Sequence, residues 1–172
     1  MSNVISLVEY RERKELEKID PSILFKEACT LSDADETSEE AAQLYEKVIK
    51  IDPTAAHAIT NLGNIYFAQG NGEKAKTQWI RAVEIDPTIT AAHYNLGYLY
   101  LTQSSFKHAI SSFLKCLAID PNFSDAHFNL AEAYFFLKKK KLGREHYAKY
   151  TELEPQGPWA QLAKDRIQQM QQ

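Results

Sequence analysis

Residues Thr90–Phe123 read TAAHYNLGYLYLTQSSFKHAISSFLKCLAIDPNF. Apolar and aromatic residues return at three- and four-residue spacing: Leu96 and Tyr100 in the first half, then Ala109, Phe113, Cys116 and Leu117 in the second. That spacing marks one face of a helix in each half. Gln103-Ser104-Ser105 supplies turn residues between the halves. Asp120-Pro121 ends the second helix, because the residue before a proline is pushed out of the α region.

The same hairpin recurs outward in both directions. Asp52-Pro53, Asp86-Pro87, Asp120-Pro121 and Glu154-Pro155 are 34 residues apart at every step. In that register Asn61-Leu62-Gly63, Asn95-Leu96-Gly97 and Asn129-Leu130-Ala131 coincide, as do Tyr66, Tyr100 and Tyr134. Ala75, Ala109 and Gly143 also align, each followed by an aromatic at Trp79, Phe113 or Tyr147. Small residues let two helices approach, and the bulky rings fill the space beside them. A constant period of this length is the signature of stacked supersecondary units.

These residues resemble the tetratricopeptide repeat, whose pattern is Trp-x2-Leu-Gly-x2-Tyr, then Ala-x3-Phe, then Pro. The resemblance implies an all-α fold, an α-solenoid of antiparallel helix pairs wound into a right-handed superhelix. It divides the chain into an N-terminal helical extension over residues 1–21, four units over 22–55, 56–89, 90–123 and 124–157, and a capping helix over 156–172. The first unit is divergent: it keeps Phe25, Ala41, Tyr45 and Pro53 but departs at Ala28, Cys29 and Ser32. In no unit does the family's first tryptophan appear; Phe25, Ile59, His93 and His127 stand there. At the chain's start, Ser6 and Glu9 fit a capping box, with Ile5 and Tyr10 set for a hydrophobic staple. At its end, Trp159, Leu162, Ala163, Ile167 and Met170 make the apolar stripe expected of a cap.

The bulk numbers bound the function. A hydrophobic fraction of 44% with 25% charged residues is ordinary for a soluble domain. The net charge of -3 draws the chain to neither nucleic acid nor anionic lipid. Cys29 and Cys116 form no CxxC pair, which fits a reducing compartment. The opening MSNVISLVEYRERKELEK does not read as a secretory signal, and no apolar run approaches the roughly 18 residues a membrane span needs. A cytoplasmic location is expected. The five histidines are scattered, and neither a His-Glu-x2-His pair nor a Gly-rich phosphate loop occurs. His93 and His127 sit where histidines pack between helices rather than bind metal. No catalytic residue, metal or cofactor is expected.

The family resemblance implies a different role, the capture of a protein or peptide along a groove lined by the first helix of each unit. The residues it places there are Asn61, Asn64, Tyr94, Asn95, Tyr98, Phe128, Asn129 and Glu132. Asn61, Asn95 and Asn129 recur once per unit, similar to the asparagine ladder of the O-linked N-acetylglucosamine transferase superhelix. A carboxamide pairs with any peptide group, although it can equally tie neighbouring helices together. Tyr94, Tyr98 and Phe128 form an aromatic cluster suited to anchoring a ligand.

Chaperone-binding members of the family hold a C-terminal carboxylate with a clamp of basic and amide side chains. Here Lys26 and Asn61 fit that pattern, but Thr30, Ala91 and Asn95 depart from it. A ligand bound through apolar and amide contacts is therefore expected. Two alternatives remain, self-association into a homo-oligomer and contact with nucleic acid through Lys138–Lys141 and Arg144. The second is disfavoured because no aligned basic stripe accompanies the patch. The repeats and Gly157-Pro158-Trp159 also resemble the repeat tails of certain bacterial MerR-type regulators, whose helix-turn-helix head has no room in the first twenty residues.

Overall fold

A computed structural model describes residues 19–171, all of whose regular structure is helical. The capping box and staple expected around Ser6, Glu9, Ile5 and Tyr10, and most of the N-terminal extension, lie outside the described residues. The chain divides into two compact units, one up to Asp86 and one from Pro87.

The first unit holds two helix hairpins. Helix α1 (Pro21–Ala34) pairs with α2 (Glu39–Ile51), and α3 (Ala56–Ala68) with α4 (Gly72–Ile85). Asp20 caps α1, accepting from the Ser22 N–H at 2.8 Å, and Pro21 fills the first turn, where its missing N–H costs nothing. Ser38 and Asn71 cap α2 and α4 in the same way. The second unit holds α5 (Thr90–Thr102), α6 (Phe106–Ile119), α7 (Ser124–Phe136) and α8 (Lys140–Leu153), again as two hairpins, and α9 (Pro158–Gln169) packs on α8.

The four predicted stop signals act as expected. Asp52, Asp86, Asp120 and Glu154 close α2, α4, α6 and α8 in extended or non-helical geometry, each N–H still donating to a carbonyl four residues back. Between the helices of the last three hairpins the chain passes through the left-handed region at Gly70, Ser104 and Lys138, with φ of 80°, 56° and 55°. Those positions share one place in the period, so the turn geometry repeats even where glycine does not.

The core repeats with the same step. Tyr45, Trp79, Phe113 and Tyr147 are at most 2% exposed, and Ala41, Ala75 and Ala109 are fully buried. The rings need a small residue opposite. A Cβ on Gly63 would stand 2.6 Å from Trp79 Nε1, and one on Gly97 would stand 2.6 Å from Phe113 Cδ1. Gly143 serves α9 instead, because a Cβ there would meet Met170 Cε at 2.5 Å. The glycines at these positions are steric, set by interiors packed as densely as crystals.

Candidate functional site

Each unit gathers first-helix side chains around one small hollow. In the first unit Asn61 and Asn64 project from α3 into a hollow of about 270 Å³ whose rim carries Asp33 and Glu36. Asn61 Nδ2 donates to the Tyr45 hydroxyl at 3.0 Å, and that hydroxyl also lies 3.2 Å from Ser32 Oγ and 3.3 Å from Cys29 Sγ. Burial, and then the Cys29 contact, push the Tyr45 phenol up to about 12, so it stays protonated. Asn64 Oδ1 accepts from Trp79 Nε1 at 3.0 Å. Both carboxamides therefore brace the hairpins while facing an open hollow. A larger, mostly apolar recess of about 490 Å³ in the same unit is lined in part by Phe25, Val48, Ala55 and Ala58. None of the eight sequence-predicted site residues lines it.

In the second unit four of the predicted residues meet. Tyr94 and Tyr98 from α5, with Phe128 and Asn129 from α7, line a cup of about 220 Å³. Tyr94 accepts a hydrogen bond from Asn129 Nδ2 at 3.0 Å, and its ring lies 6.4 Å from Tyr98 and 4.9 Å from Phe123. Burial first, and then the Asp125 carboxylate, push the Tyr94 phenol up to about 12. Phe128 forms the floor at 8% exposure, edge-on to Tyr150 and Trp159 at 5.1 and 5.3 Å. Tyr98 and Trp159 stay open to solvent at 39% and 58%.

Three lining groups fall outside the predicted set: Asp125, Tyr150 and Trp159. Trp159 corrects the reading of the last helix. It was expected on the buried stripe, but Gly157-Pro158 starts α9 there, and the indole stands outward over Phe128. The available signal was the position of Trp159 directly after Gly157-Pro158, at the start of the helix. Tyr150 carries no such mark, since its place depends on how α8 rotates against α7.

The other two predicted residues line neither hollow. Asn95 is half-buried on α5. Glu132 accepts from the Tyr147 hydroxyl and pairs with Arg166 Nε at 3.3 Å, while the Arg166 guanidinium lies 4.0 Å above the Phe135 ring. The Glu132 carboxylate thus fastens α7 to α8 and α9.

The histidines follow a pattern of their own. His93 and His127 are buried, with Nε2 at 2.9 Å from the Pro87 carbonyl and 3.0 Å from the Pro121 carbonyl. A carbonyl only accepts, so both Nε2 atoms carry hydrogen. In a neutral His127 ring Nδ1 is then an acceptor, and His146 Nδ1, 2.9 Å away, donates to it. His146 is also stacked on Tyr134 at 5.8 Å. Burial, then the neighbouring His127, lower the His146 imidazole below its ordinary value, with Glu145 opposing. Because the folded state resists this proton, stability is full above about pH 6.5 and falls as the pH drops below it. Urea unfolding at pH 7.5 and 5.5 is expected to show that loss, and His146→Phe is expected to flatten it. Equal slopes in the two proteins would refute the assignment.

Among the described residues no group of three His, Cys, Asp or Glu side chains could hold a metal ion. Burial pushes the Cys116 thiol up to about 12, which leaves it inert at neutral pH. Lys138–Lys141 are exposed at the α7–α8 turn, and Lys139 lies 5.9 Å over the Tyr134 ring. No helix among the described residues is long and apolar enough to cross a membrane.

Comparison with known proteins fits this architecture. Residues 38–70 and 63–104 match a family described as TPR repeat, and residues 90–123 and 112–148 match two described as tetratricopeptide repeat. No curated protein matches the chain. Among solved structures, a crystal structure of MamA is 26% identical with a TM-score of 0.71, covering 84% of this chain and 86% of that one. MamA 41-end from Desulfovibrio magneticus RS-1 is 24% identical with a TM-score of 0.69, covering 81% and 78%. The first TPR of Spaghetti (RPAP3) bound to HSP90 peptide SRMEEVD is 23% identical with a TM-score of 0.63, covering 70% and 93%.

Proposed function

The chain belongs to the tetratricopeptide-repeat family, and from that premise we propose that it is a protein-interaction adaptor holding a segment of a partner polypeptide against the first helices of its repeats. The observation that carries this reading is the cup over Phe128. Two large rings, Tyr98 and Trp159, stay exposed beside a buried aromatic floor and the Asn129 carboxamide. Exposed aromatics around a desolvated centre are the usual make-up of an anchoring pocket. The first unit offers a second contact zone, in which Asn61 and Asn64 present amides beside their hollow.

The solved relative with a bound peptide carries an acidic one, SRMEEVD. The residues that would clamp such a ligand are incomplete here, with Thr30, Ala91 and Asn95 at the divergent positions. Apolar and amide contacts are therefore the expected mode.

Phe128 packs on Tyr147 and Tyr150, so its removal would disturb the fold. Tyr98→Ala with Trp159→Ala is the cleaner test, because both rings are exposed. Peptides selected by display against the full chain, measured by fluorescence anisotropy, are expected to bind this double variant at least about tenfold more weakly, as two lost anchors imply. Unchanged affinity with an unchanged circular dichroism spectrum would remove the cup from the binding surface.

A further inference from the structure

The geometry points to a lysine or arginine side chain of the partner polypeptide as the occupant of the aromatic cup, with Asp125 as its counter-charge. The inference rests on the adaptor reading above and gives it a chemical preference.

The make-up of the cup supports it. The cup is walled by ring systems, with Tyr98 and Trp159 open above and Phe128 below. The face of an aromatic ring is the negative end of its quadrupole and attracts a cation within about 6 Å. Among the groups lining the cup, Asp125 alone is charged; no lysine or arginine shares it. The carboxylate is also close enough to raise both the Tyr94 and the Tyr150 phenols, after burial, which places its field across the mouth. An acidic side chain entering there would meet the Asp125 carboxylate, which repels it.

The remaining polar group can serve the same ligand. Asn129 uses Nδ2 on Tyr94, which leaves its carbonyl oxygen as an acceptor for an ammonium or guanidinium N–H. The first unit repeats the charge pattern independently. Its hollow carries Asp33 and Glu36 beside Asn61 and Asn64, and again no lysine or arginine lines it. A basic polypeptide is the ligand chemistry that both hollows share.

Asp125 also sits in the first turn of α7, where a negative charge favours the helix by itself. The experiment must separate that role from ligand contact. The full chain would be titrated with the blocked amino acids acetyl-lysine methylamide, acetyl-arginine methylamide, acetyl-norleucine methylamide and acetyl-glutamate methylamide. The readout is the NMR shift of the Trp159 indole and of backbone amides around Phe128. The lysine and arginine probes are expected to saturate these shifts at least about fivefold more tightly than norleucine, with glutamate weaker still. Asp125→Asn is expected to erase most of that preference while speeding amide exchange in α7 by no more than the roughly two- to fivefold that a first-turn charge is worth, and added salt is expected to weaken the basic probes alone.

Equal binding of norleucine and lysine would overturn the proposal, as would a preference that survives Asp125→Asn. The display-selected peptides separate this outcome from failure of the adaptor reading. Peptides that lose affinity on Tyr98→Ala with Trp159→Ala yet tolerate every Lys/Arg→norleucine change would sink the basic-side-chain assignment and leave the adaptor standing. Peptides indifferent to the double variant would take the cup out of the binding surface and overturn the basic-side-chain assignment with it.

Discussion

Trp79→Ala is expected to cost the first unit about 3–5 kcal/mol, the range for deleting a buried large aromatic. Trp79 stands where the repeat pattern carries phenylalanine, and at 2% exposure its indole fills the space against Gly63. It makes directed bonds that phenylalanine could not: Nε1 lies 3.2 Å from the Thr60 carbonyl and 3.0 Å from Asn64 Oδ1. Alanine would leave a cavity between α3 and α4, and the backbone at Gly63 has no side chain with which to fill it. Trp79→Phe keeps most of the volume and loses the donor, for an expected cost of about 1–2 kcal/mol. Repeat proteins do not always unfold in one step. The informative measurement is therefore amide exchange in α3 and α4 together with urea unfolding. A loss below 1 kcal/mol for Trp79→Ala would mean that the site collapses around the missing ring.

Glu132→Ala is expected to destabilise the last hairpin and its cap by about 2 kcal/mol. Its carboxylate accepts from the fully buried Tyr147 and pairs with Arg166. Burial first, and then the Glu132 hydrogen bond, hold the Tyr147 phenol well above its ordinary value, so the hydroxyl remains a donor. Taking the acceptor away strands that O–H, a cost of about 1–3 kcal/mol, and leaves Arg166 without its carboxylate partner, with Gln169 and the Phe135 ring still in contact. The side chains of Arg166 and Glu132 are 24% and 14% exposed, so water recovers part of the ionic share. Glu132→Gln keeps an acceptor and should cost about half as much. Hydrogen exchange is expected to speed up throughout α9 in the alanine variant. Glu132 was also read from the sequence as a ligand contact, and the same variants test that reading. Weaker peptide binding by Glu132→Gln with α9 protection intact would support a direct contact; loss of protection first would make Glu132 a brace.

The order of helices was legible in the chain because it is written in local chemistry. The 34-residue step of Asp-Pro pairs ends the second helices, and turn residues such as Gln103-Ser104-Ser105 precede them. The alternation of Gly63 or Gly97 with Trp79 or Phe113 states in advance which surfaces must meet. These signals need only neighbours a few residues away, or one exact repeat of the period. Four members of the cup were legible for the same reason, since Tyr94, Tyr98, Phe128 and Asn129 share one helix face in successive repeats.

What the sequence could not decide was the fate of side chains with more than one suitable partner. Asn129 could face a ligand or a neighbouring helix, and Tyr94 lies 3.0 Å from it. Glu132 was drawn to Tyr147 and Arg166, and His127 to His146, by approaches that only helix rotation sets. Trp159 belonged to the apolar pattern of its helix but lies at the very start of α9, so it turned outward over Phe128. Periodicity fixes which face of a helix a residue occupies. Hydrogen bonds and ring contacts form only within a few ångströms, and that distance is a property of the assembled helices.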